Sequence, residues 1–425
     1  MEISALYAIY KQFPRVQTDT RAIQAEELFF ALKGEHFNGN RFAEQALEKG
    51  AAYAIIDEAE FAVDARCILV DNVLETLQAL AKYHREQFSI PFIAITGSNG
   101  KTTTKELVHA VLSKKFKTTA TVGNLNNHIG IPLTILRIPM DTEMAIIEMG
   151  ANHQREIAGY CLYALPTHGI INNCGKAHLE GFGGVDGVRK GKGELYDFLR
   201  EQEGAIFRNV DLDYLVSMSN GIHRQITYGE TAADYTGMVV HGGETLQVAI
   251  TRAGLEMSIQ TQLVGDYNLA NILAAVAVGH HFGVSANAIR EALEAYTPSN
   301  SRSQRIQRDT NTIILDAYNA NPSSMRVAIQ NFKQMDFPNK VVIIGGMMEL
   351  GEDSVMEHQQ IVELLQESNW NHVLLVGGDF EKTQHAYTFV ANYEAAADYL
   401  KQIAPSHAGI LIKGSRAFTL EKIIQ

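Results

Sequence analysis

The chain has 425 residues, of which 46% are hydrophobic and 20% are charged, and its formal net charge is −12 at pH 7. This composition is typical of a globular protein, and the length predicts about three domains. The acidic balance argues against a general nucleic-acid binder, because such proteins usually carry a basic face.

The sequence predicts neither export nor membrane insertion. Its first residues lack a basic start followed by an apolar run and a small-residue cleavage site, and no apolar stretch reaches ~18 residues. Cys67, Cys161 and Cys174 are odd in number and too widely spaced for a metal-binding pair. We therefore expect a reduced, cytoplasmic protein, with a monomer as the default.

Residues 1–88 predict a small α/β module. Apolar runs bounded by turn-forming residues indicate strands, and apolar residues at helical spacing indicate helices. The predicted strands are 27–34, 51–57 and 67–72, and the predicted helices are 41–50 and 73–88.

Residues 89–297 predict a central domain with a parallel sheet, because strands and helices alternate. Residues 235–263 alternate in polarity and contain Gly-Gly and Ala-Gly turns, which indicates an antiparallel excursion. Residues 268–282 are apolar almost all round, which predicts a buried helix. The other predicted elements are strands 92–96, 143–149 and 169–174 and a helix at 102–114.

Residues 298–425 predict a doubly wound, Rossmann-like α/β domain. Its predicted strands are 312–316, 340–346, 372–378 and 409–413, and its predicted helices are 322–335, 355–367 and 392–403. The fold class is therefore a three-domain α/β protein.

A glycine-rich turn at 96–104 lies between a predicted strand and a predicted helix, which is the context that a phosphate-binding loop requires. The glycines let the backbone approach a phosphate, and the helix N-terminus adds about half a positive charge. Lys101 would neutralise the outer phosphates, and the Thr102 hydroxyl would bind Mg²⁺. The predicted loop residues are Gly97, Ser98, Asn99, Gly100, Lys101, Thr102 and Thr103.

The glycine spacing of this loop is tighter than in the common P-loop pattern, whose first glycine would stand at Ile95. The alternative is a tight strand-to-helix turn with an incidental lysine. The coincidence of a strand, two glycines, a lysine and a run of threonines favours the phosphate loop.

Three further residues are candidates for the chemistry. Glu148 ends a buried strand near the predicted loop and would be a natural Mg²⁺ ligand, although it could instead leave the sheet for solvent. His178 follows a strand at the functional edge of the sheet, but a lone histidine is more often structural. Lys192 lies among other charged residues, at 189–194, and this local sequence alone is best explained as a solvated basic face.

Seven blocks, taken together and in order, resemble the Mur ligase family, and the resemblance extends over nearly the whole chain. The blocks are TDTRAIQAEELFFALKGEHFNGN (18–40), TGSNGKTTTKEL (96–107), GNLNNHIGIPLTIL (123–136), EMGANHQREI (148–157), AHLEGFGG (177–184), LDAYNANPSSM (315–325) and IKGSRAF (412–418).

The resemblance implies roles for the residues that match. The loop of Lys101 would bind the phosphates of ATP, Thr102 and Glu148 would hold one Mg²⁺, and His178 would hold a second. Lys192 matches the lysine that the family carbamylates. Residues implied to contact the nucleotide are Asn268, Asn271, Arg302, Asp316, Tyr318 and Asn319. Residues implied to bind substrates are Thr18, Asp19, Arg21, Asn124, Asn126, Asn127, Asn321, Lys413 and Arg416.

The implied activity is an ATP-dependent ligase that forms an acyl phosphate, ADP and phosphate. The blocks at 148–157 and 177–184 favour the branch that joins D-alanyl-D-alanine to UDP-N-acetylmuramoyl-tripeptide, a precursor of peptidoglycan. The alternatives are the branch that adds one amino acid to the dipeptide-bearing nucleotide and, from another class, an NTPase switch.

Two positions depart from the family pattern. Gly346 stands where the family often has an aspartate, in the segment 345–351. The segment 299–305 lacks the expected Gly-Arg pair, so Arg305 is a rival of Arg302 for the contact with ATP.

Overall fold

The computed structural model describes residues 1–241, 245–252, 254–298 and 301–425. The predicted Gly-Gly turn at 242–243, the alanine of the predicted Ala-Gly turn and residues 299–300 lie outside the described residues. Backbone contacts group the chain into two compact units. The first comprises residues 1–95, 116–151 and 155–169, and the second comprises residues 96–115, 152–154 and 170–425.

The N-terminal region forms the predicted α/β module, with a parallel sheet of order β1-β2-β5-β6. Its elements are α1 Ile3–Gln12, β1 Val16–Gln17, β2 Leu28–Phe30, β3 Lys33–Gly34, β4 Phe37–Asn38, α2 Ala43–Glu48, β5 Tyr53–Ile56, β6 Cys67–Leu69 and α3 Val73–Arg85. The single strand predicted at 27–34 is wrong, because the chain breaks there into two short strands in different sheets. Asn72 explains the start of α3, since its side chain accepts a hydrogen bond from the Glu75 N–H.

The central region contains the following elements: β7 Phe92–Thr96, α4 Lys101–Leu112, β8 Thr118–Ala120, α5 Gly130–Leu136, β9 Met144–Glu148, α6 Glu156–Ala164, β10 His168–Ile171, α7 Leu179–Phe182, α8 Val185–Glu201, β11 Ala205–Asn209, α9 Asp213–Met218, β12 Arg224–Gly229, β13 Tyr235–His241, β14 Gln247–Ile250, β15 Met257–Gln260, α10 Leu269–His281 and α11 Ala286–Ala295. In the first unit, β7 and β8 pair in parallel with β9. In the second unit, β11, β12 and β13 are parallel, whereas β13, β14 and β15 are antiparallel, which confirms the predicted excursion.

The strand predicted at 169–174 is shorter than expected, because β10 ends at Ile171. Beyond it, the side chains of Asn172 and Asn173 form hydrogen bonds to other segments of the second unit. The buried helix predicted at 268–282 is confirmed as α10, whose described residues are buried from Leu269 to Gly279 apart from Ala270.

The C-terminal region forms a six-stranded sheet of order β16-β17-β21-β18-β19-β20. Its elements are β16 Gln304–Arg308, β17 Asn311–Asp316, α12 Pro322–Gln334, β18 Asn339–Gly345, α13 Ser354–Gln366, β19 His372–Val376, β20 Thr388–Val390, α14 Tyr393–Ile403 and β21 Ala408–Lys413. Five strands are parallel, and four of them, β17, β21, β18 and β19, are mostly apolar and buried as such strands require. The prediction missed β16, an antiparallel edge strand, because its polar residues show no apolar pattern.

The three predicted sequence ranges each contain their own sheet strands, so the α/β fold class is confirmed. The boundaries at 88 and 297 stay predictions, since the grouping of contacts divides the chain differently.

Within the described part of the chain, no helix is both long and apolar enough to span a bilayer. Cys161 and Cys174 are buried, Cys67 is half-buried, and all three are free thiols.

Gly346 lies against a second glycine of the C-terminal region. A Cβ atom built on Gly346 would stand 2.7 Å from the Cα of Gly378 and 3.0 Å from the ring of Phe418. Gly378 itself has a φ of +63°, which disfavours any other residue there. The aspartate expected at 346 therefore has no room against this backbone.

We expect Gly346→Asp to lower the midpoint of thermal unfolding by roughly 3–10 °C, because forcing atoms against packed backbone costs about 1–3 kcal/mol. The matched control is Gly34→Asp, since no atom lies within 4 Å of a Cβ built on Gly34. Differential scanning calorimetry of both variants checks the prediction. Equal midpoints for the two variants would show that residue 346 can be accommodated.

Candidate active site

The phosphate loop joins a fully buried strand, β7, to the N-terminus of α4. Gly97 and Gly100 have φ values of +148° and +80°. Cβ atoms at these positions would lie 2.9 Å from the Asn172 Cβ and 2.8 Å from the Asn271 Oδ1, respectively. Glycine is therefore required at both positions. Among the residues that the structure describes, no side chain caps α4, and such a helix N-terminus suits a phosphate group.

The segment after β10 braces this loop from one side. The Ser98 N–H donates to the Asn173 carbonyl at 2.9 Å, and the Asn99 N–H donates to the Asn173 Oδ1 at 3.0 Å. The Ser98 hydroxyl donates to the Gly175 carbonyl at 3.0 Å. The position of the loop thus depends on residues that lie more than seventy positions later in the chain.

A buried amide network supports the loop from behind. The Thr104 hydroxyl donates to the Asn271 Oδ1 at 3.0 Å and accepts from the Asn172 Nδ2 at 2.7 Å. The Asn271 Nδ2 in turn donates to the Asn268 Oδ1 at 2.8 Å. The structure links Asn271 and Asn268 to Thr104 at the end of the loop, and their predicted contact with a nucleotide stays a prediction.

Lys101 is the first residue of α4, and its side chain folds back over the phosphate loop. Its ammonium donates to the carbonyl oxygens of Gly97 at 2.5 Å and Ser98 at 3.3 Å. Thr102, the next residue, is buried at the first turn of α4. Both side chains are therefore placed at the helix N-terminus where phosphate would bind.

Glu148 belongs to the first unit and is 1% exposed at the end of β9. Its carboxylate accepts a hydrogen bond from the Asn126 Nδ2 at 2.8 Å, so the structure brings these two predicted residues together. The solvent-facing alternative for Glu148 is wrong. Asn127 uses its Oδ1 to accept from the Gly130 N–H at the start of α5, and Asn124 is exposed.

Lys192 is also only 1% exposed, so its interpretation as a solvated basic residue is wrong. Its ammonium lies 5.0 Å from the ring centre of Phe182, on one side of α8. Burial raises the pKa of the nearby Cys174 thiol to about 12, while the charges of Lys192 and Arg189 oppose that rise. Lys192 therefore lies close enough to Cys174, three residues after the end of β10, to affect the pKa of that thiol.

His178 forms a hydrogen bond with Glu349 through its Nδ1 atom. Both residues have positive φ values, +53° and +61°, which are uncommon outside glycine. This hydrogen bond is the main reason why the pKa of Glu349 is lowered. Sequence reasoning missed Glu349, although it lies in the Met-Met-Glu-Leu-Gly block beside the departure at Gly346.

Arg302 and its rival Arg305 differ in their surroundings. The guanidinium of Arg302 stacks on the ring of Tyr318 at 3.7 Å, and its buried Nε has no hydrogen-bond partner in the described part of the chain. Arg305 is exposed on the edge strand β16. The geometry therefore favours Arg302 for contact with the nucleotide.

We expect Arg302→Ala to weaken ATP binding by about 10-fold or more, because a hydrogen bond to a charged group contributes roughly 1.5–3 kcal/mol. Arg305→Ala, the matched control, should change the Kd by less than about twofold. Isothermal titration calorimetry measures both constants. The reverse ranking would assign the contact to Arg305.

Two other predicted C-terminal residues, Lys413 and Asp316, form an ion pair with each other. Lys413, 1% exposed, donates to the Asp316 Oδ2 at 2.6 Å and to the Asn319 carbonyl at 3.4 Å. Asp316 also accepts from the Ser303 N–H at 3.2 Å. These contacts hold the loop after β17, and roles of these residues toward ligands stay predictions.

The remaining predicted residues are distributed over both units. Asn321 caps α12, and its Nδ2 donates to the Asn99 Oδ1 of the phosphate loop at 2.8 Å. Arg416 is exposed and pairs with Glu421 at 2.6 Å.

In the first unit, Thr18, Asp19 and Arg21 lie together after β1, and the Arg21 guanidinium lowers the pKa of Asp19 to about 2.

Comparisons with known proteins agree with this architecture. The family profile "Mur ligase family, catalytic domain" matches residues 13–85, "Mur ligase middle domain" matches residues 95–279, and "Mur ligase, glutamate ligase domain" matches residues 301–416. Two proteins named UDP-N-acetylmuramoyl-tripeptide–D-alanyl-D-alanine ligase are similar over nearly their whole length. Those of Escherichia coli (strain K12) and Bacillus subtilis (strain 168) are 35% and 33% identical, and each alignment covers 96% of this chain and 92% of the relative.

Solved structures give the same result. MurF from Acinetobacter baumannii is 31% identical, with a TM-score of 0.87, and the match covers 96% of this chain and 92% of that one. MurF ligase from Thermotoga maritima in complex with ADP is 25% identical, with a TM-score of 0.87 and 96% coverage of both chains. The chain therefore belongs to the Mur ligase family and has its three-domain α/β fold. Within that family, it falls in the MurF branch.

Proposed function

We propose that this enzyme joins D-alanyl-D-alanine to UDP-N-acetylmuramoyl-tripeptide in an ATP-dependent reaction, giving the pentapeptide precursor of peptidoglycan. The observation that carries the proposal is the contact of Asn321 with Asn99, which joins the C-terminal domain to the phosphate loop. Full-length similarity to ligases of that name supports this choice of substrates. Because ATP and a nucleotide-linked peptide are substrates, we place the reaction in the cytoplasm.

The reaction needs two steps, because a carboxylate is a poor electrophile. The terminal carboxylate of the tripeptide attacks the γ-phosphate, which forms an acyl phosphate and releases ADP. The amine of D-alanyl-D-alanine then attacks the acyl carbon, loses a proton and expels phosphate. Lys101 and the N-terminus of α4 would bind and neutralise the phosphates, since phosphoryl transfer depends mostly on positioning and charge.

The residues present fit the magnesium that the family implies. Each of the two residues that the resemblance implies carries the kind of oxygen that Mg²⁺ prefers: a hydroxyl on Thr102 in the second unit and a buried carboxylate on Glu148 in the first. Mg²⁺ with ATP usually takes only one or two protein ligands. No cluster of three or more metal-binding side chains occurs in the ranges that the structure describes. When bound, Mg²⁺ would supply charge neutralisation for the phosphates.

His178 also fits a role as a ligand of a second ion. Metal-binding histidines usually give their other ring N–H to a carboxylate, which fixes the orientation of the ring. The hydrogen bond between the His178 Nδ1 and Glu349 has this form and leaves Nε2 for coordination.

We further propose that Lys192 carries a carbamate, as the resemblance to the family implies. Its burial on α8 supports a specific role, since a basic side chain seldom lies within a protein without one. A carbamate would convert this cation into a carboxylate-like anion, which suits binding of a second Mg²⁺.

Mass spectrometry of products tests the proposed function. The enzyme is incubated with ATP, Mg²⁺, D-alanyl-D-alanine and UDP-N-acetylmuramoyl-tripeptide, with lysine and diaminopimelate as the third residue in separate reactions. We expect the pentapeptide product, ADP and phosphate, and phosphate release that requires both the peptide and the amine. A product from UDP-N-acetylmuramoyl-dipeptide and one amino acid would assign the other branch, and release without either substrate would indicate an NTPase.

A further inference from the structure

The segment after β10 makes two side-chain-dependent contacts with the C-terminal domain. The backbone N–H of Lys176 donates to the hydroxyl of Ser323, in the first turn of α12, at 3.0 Å. The ammonium of Lys176 pairs with the carboxylate of Glu357, on α13, at 2.5 Å. One residue of the segment thus contacts two helices of the C-terminal domain.

The same segment touches the phosphate loop. Gly175 accepts a hydrogen bond from the Ser98 hydroxyl, and a Cβ on Gly175 would lie 2.8 Å from the Ser323 Oγ. Asn321, two residues before Ser323, contacts Asn99 directly. The phosphate loop, residues 175–176 and the start of α12 therefore form one continuous set of contacts.

The two side chains of the Lys176–Glu357 ion pair differ in their exposure to solvent. The side chain of Glu357 is 3% exposed, whereas that of Lys176 is 42% exposed. A buried carboxylate is costly unless a cation is paired with it, but a half-exposed ammonium is solvated in either case. The pair is therefore more sensitive to loss of the lysine than to loss of the acid.

We propose that Lys176 and Glu357 act as a positioning pair, which holds the C-terminal domain against the phosphate loop while the amine attacks the acyl phosphate. The proposal rests on the function proposed above. Neither residue is assigned to touch the reacting atoms, so the pair acts on the reaction by holding the domain. If the domain separates, water can reach the acyl carbon, phosphate leaves, and the peptide carboxylate is regenerated without an amide.

The test uses Lys176→Met, Glu357→Gln and the double variant in the full-length enzyme. For Lys176→Met we expect kcat/KM for D-alanyl-D-alanine to fall by at least about tenfold, because the Glu357 carboxylate is left buried and unpaired. More phosphate should be released per amide formed, by about twofold or more, because closure excludes water from the site. The Kd for ATP should change by less than about twofold.

The double variant gives the result that a merely structural role would not produce. Glu357→Gln should lower kcat/KM less than Lys176→Met, because its amide oxygen can still accept a hydrogen bond from the Lys176 ammonium and no buried charge is left unpaired. The double variant should lose about as much as Lys176→Met and not the product of the two losses, because both changes break the same contact. Glu363→Gln, an exposed acid on the same helix, serves as the matched control. Thermal unfolding of every variant shows whether the fold is retained.

Each outcome has a distinct meaning. If the wild-type enzyme forms no amide from these substrates, the proposed function fails, whatever the variants do. If the wild type is active and Lys176→Met retains its kcat/KM and its ratio of phosphate to amide, the positioning pair is wrong. A double variant whose loss equals the product of the two single losses would likewise overturn it, because the two residues would then act independently.

Discussion

Lys101→Ala should reduce ATP-dependent amide formation by on the order of 10³-fold, because removing a charged group that stabilises a transferring phosphoryl group has effects of this size. The ammonium lies at the N-terminus of α4, over the carbonyls of Gly97 and Ser98. No other lysine or arginine occurs in the loop itself, from Thr96 to Thr104. The remaining positive potential would come from the helix N-terminus, which is worth only about half a charge.

Steady-state assays of amide product and of phosphate check this prediction. The matched control is Lys114→Ala, which removes a cation just after the same helix, where it pairs with Glu291 at 3.4 Å in an exposed position. That variant should keep its activity within about twofold, since exposed ion pairs contribute little. Retention of near wild-type activity in Lys101→Ala would mean that the loop is not the site of ATP chemistry.

Lys192→Ala should also reduce the activity by about 10²-fold or more, and added short carboxylates such as formate should restore part of it. The reason is that the proposed carbamate would place an anion at this position, and a small free carboxylate could occupy the space that the truncated side chain leaves. Lys192 is buried, so this space is enclosed by protein. The measurement is the rate of amide formation with and without formate.

Two further variants separate the loss of an anion from the loss of packing. Lys192→Met fills the same space without a nitrogen, so it should be inactive and should gain nothing from formate. Lys190→Ala, two residues earlier on α8 and exposed, should be unaffected. An active Lys192→Met enzyme would contradict the proposed carbamate.

Much of the fold could be predicted because the buried strands are continuous apolar runs. The strand predicted at 92–96 has these same bounds in the structure, and α12 and α13 begin and end within one residue of prediction. The edge strand β16 could not be predicted, because an exposed strand with five mostly polar residues needs no apolar alternation. Short edge strands owe their structure to the neighbour with which they pair, here β17.

The residues of the site could be predicted only where they lie next to one another in the sequence. The phosphate loop has its residues side by side, so the pattern at 96–104 indicated its role. The partners Ser323, Glu357 and Glu349 were missed because their contacts with residues 176 and 178 span 147 to 181 positions of sequence. Glu357 in particular follows no motif, and only the packing of α13 shows that its carboxylate is buried.

The contact between Gly346 and Gly378 also constrains how this sequence can change over time. Because the space beyond each glycine is filled by the backbone of the other, a substitution at one position should lose less stability once the other segment has moved. An aspartate at 346 should therefore cost less stability after a change in the turn of Gly377 and Gly378 that opens this space. We expect the effects of substitutions at 346 and 378 to be non-additive, so that the order in which they arise affects which of them a stable protein can accept.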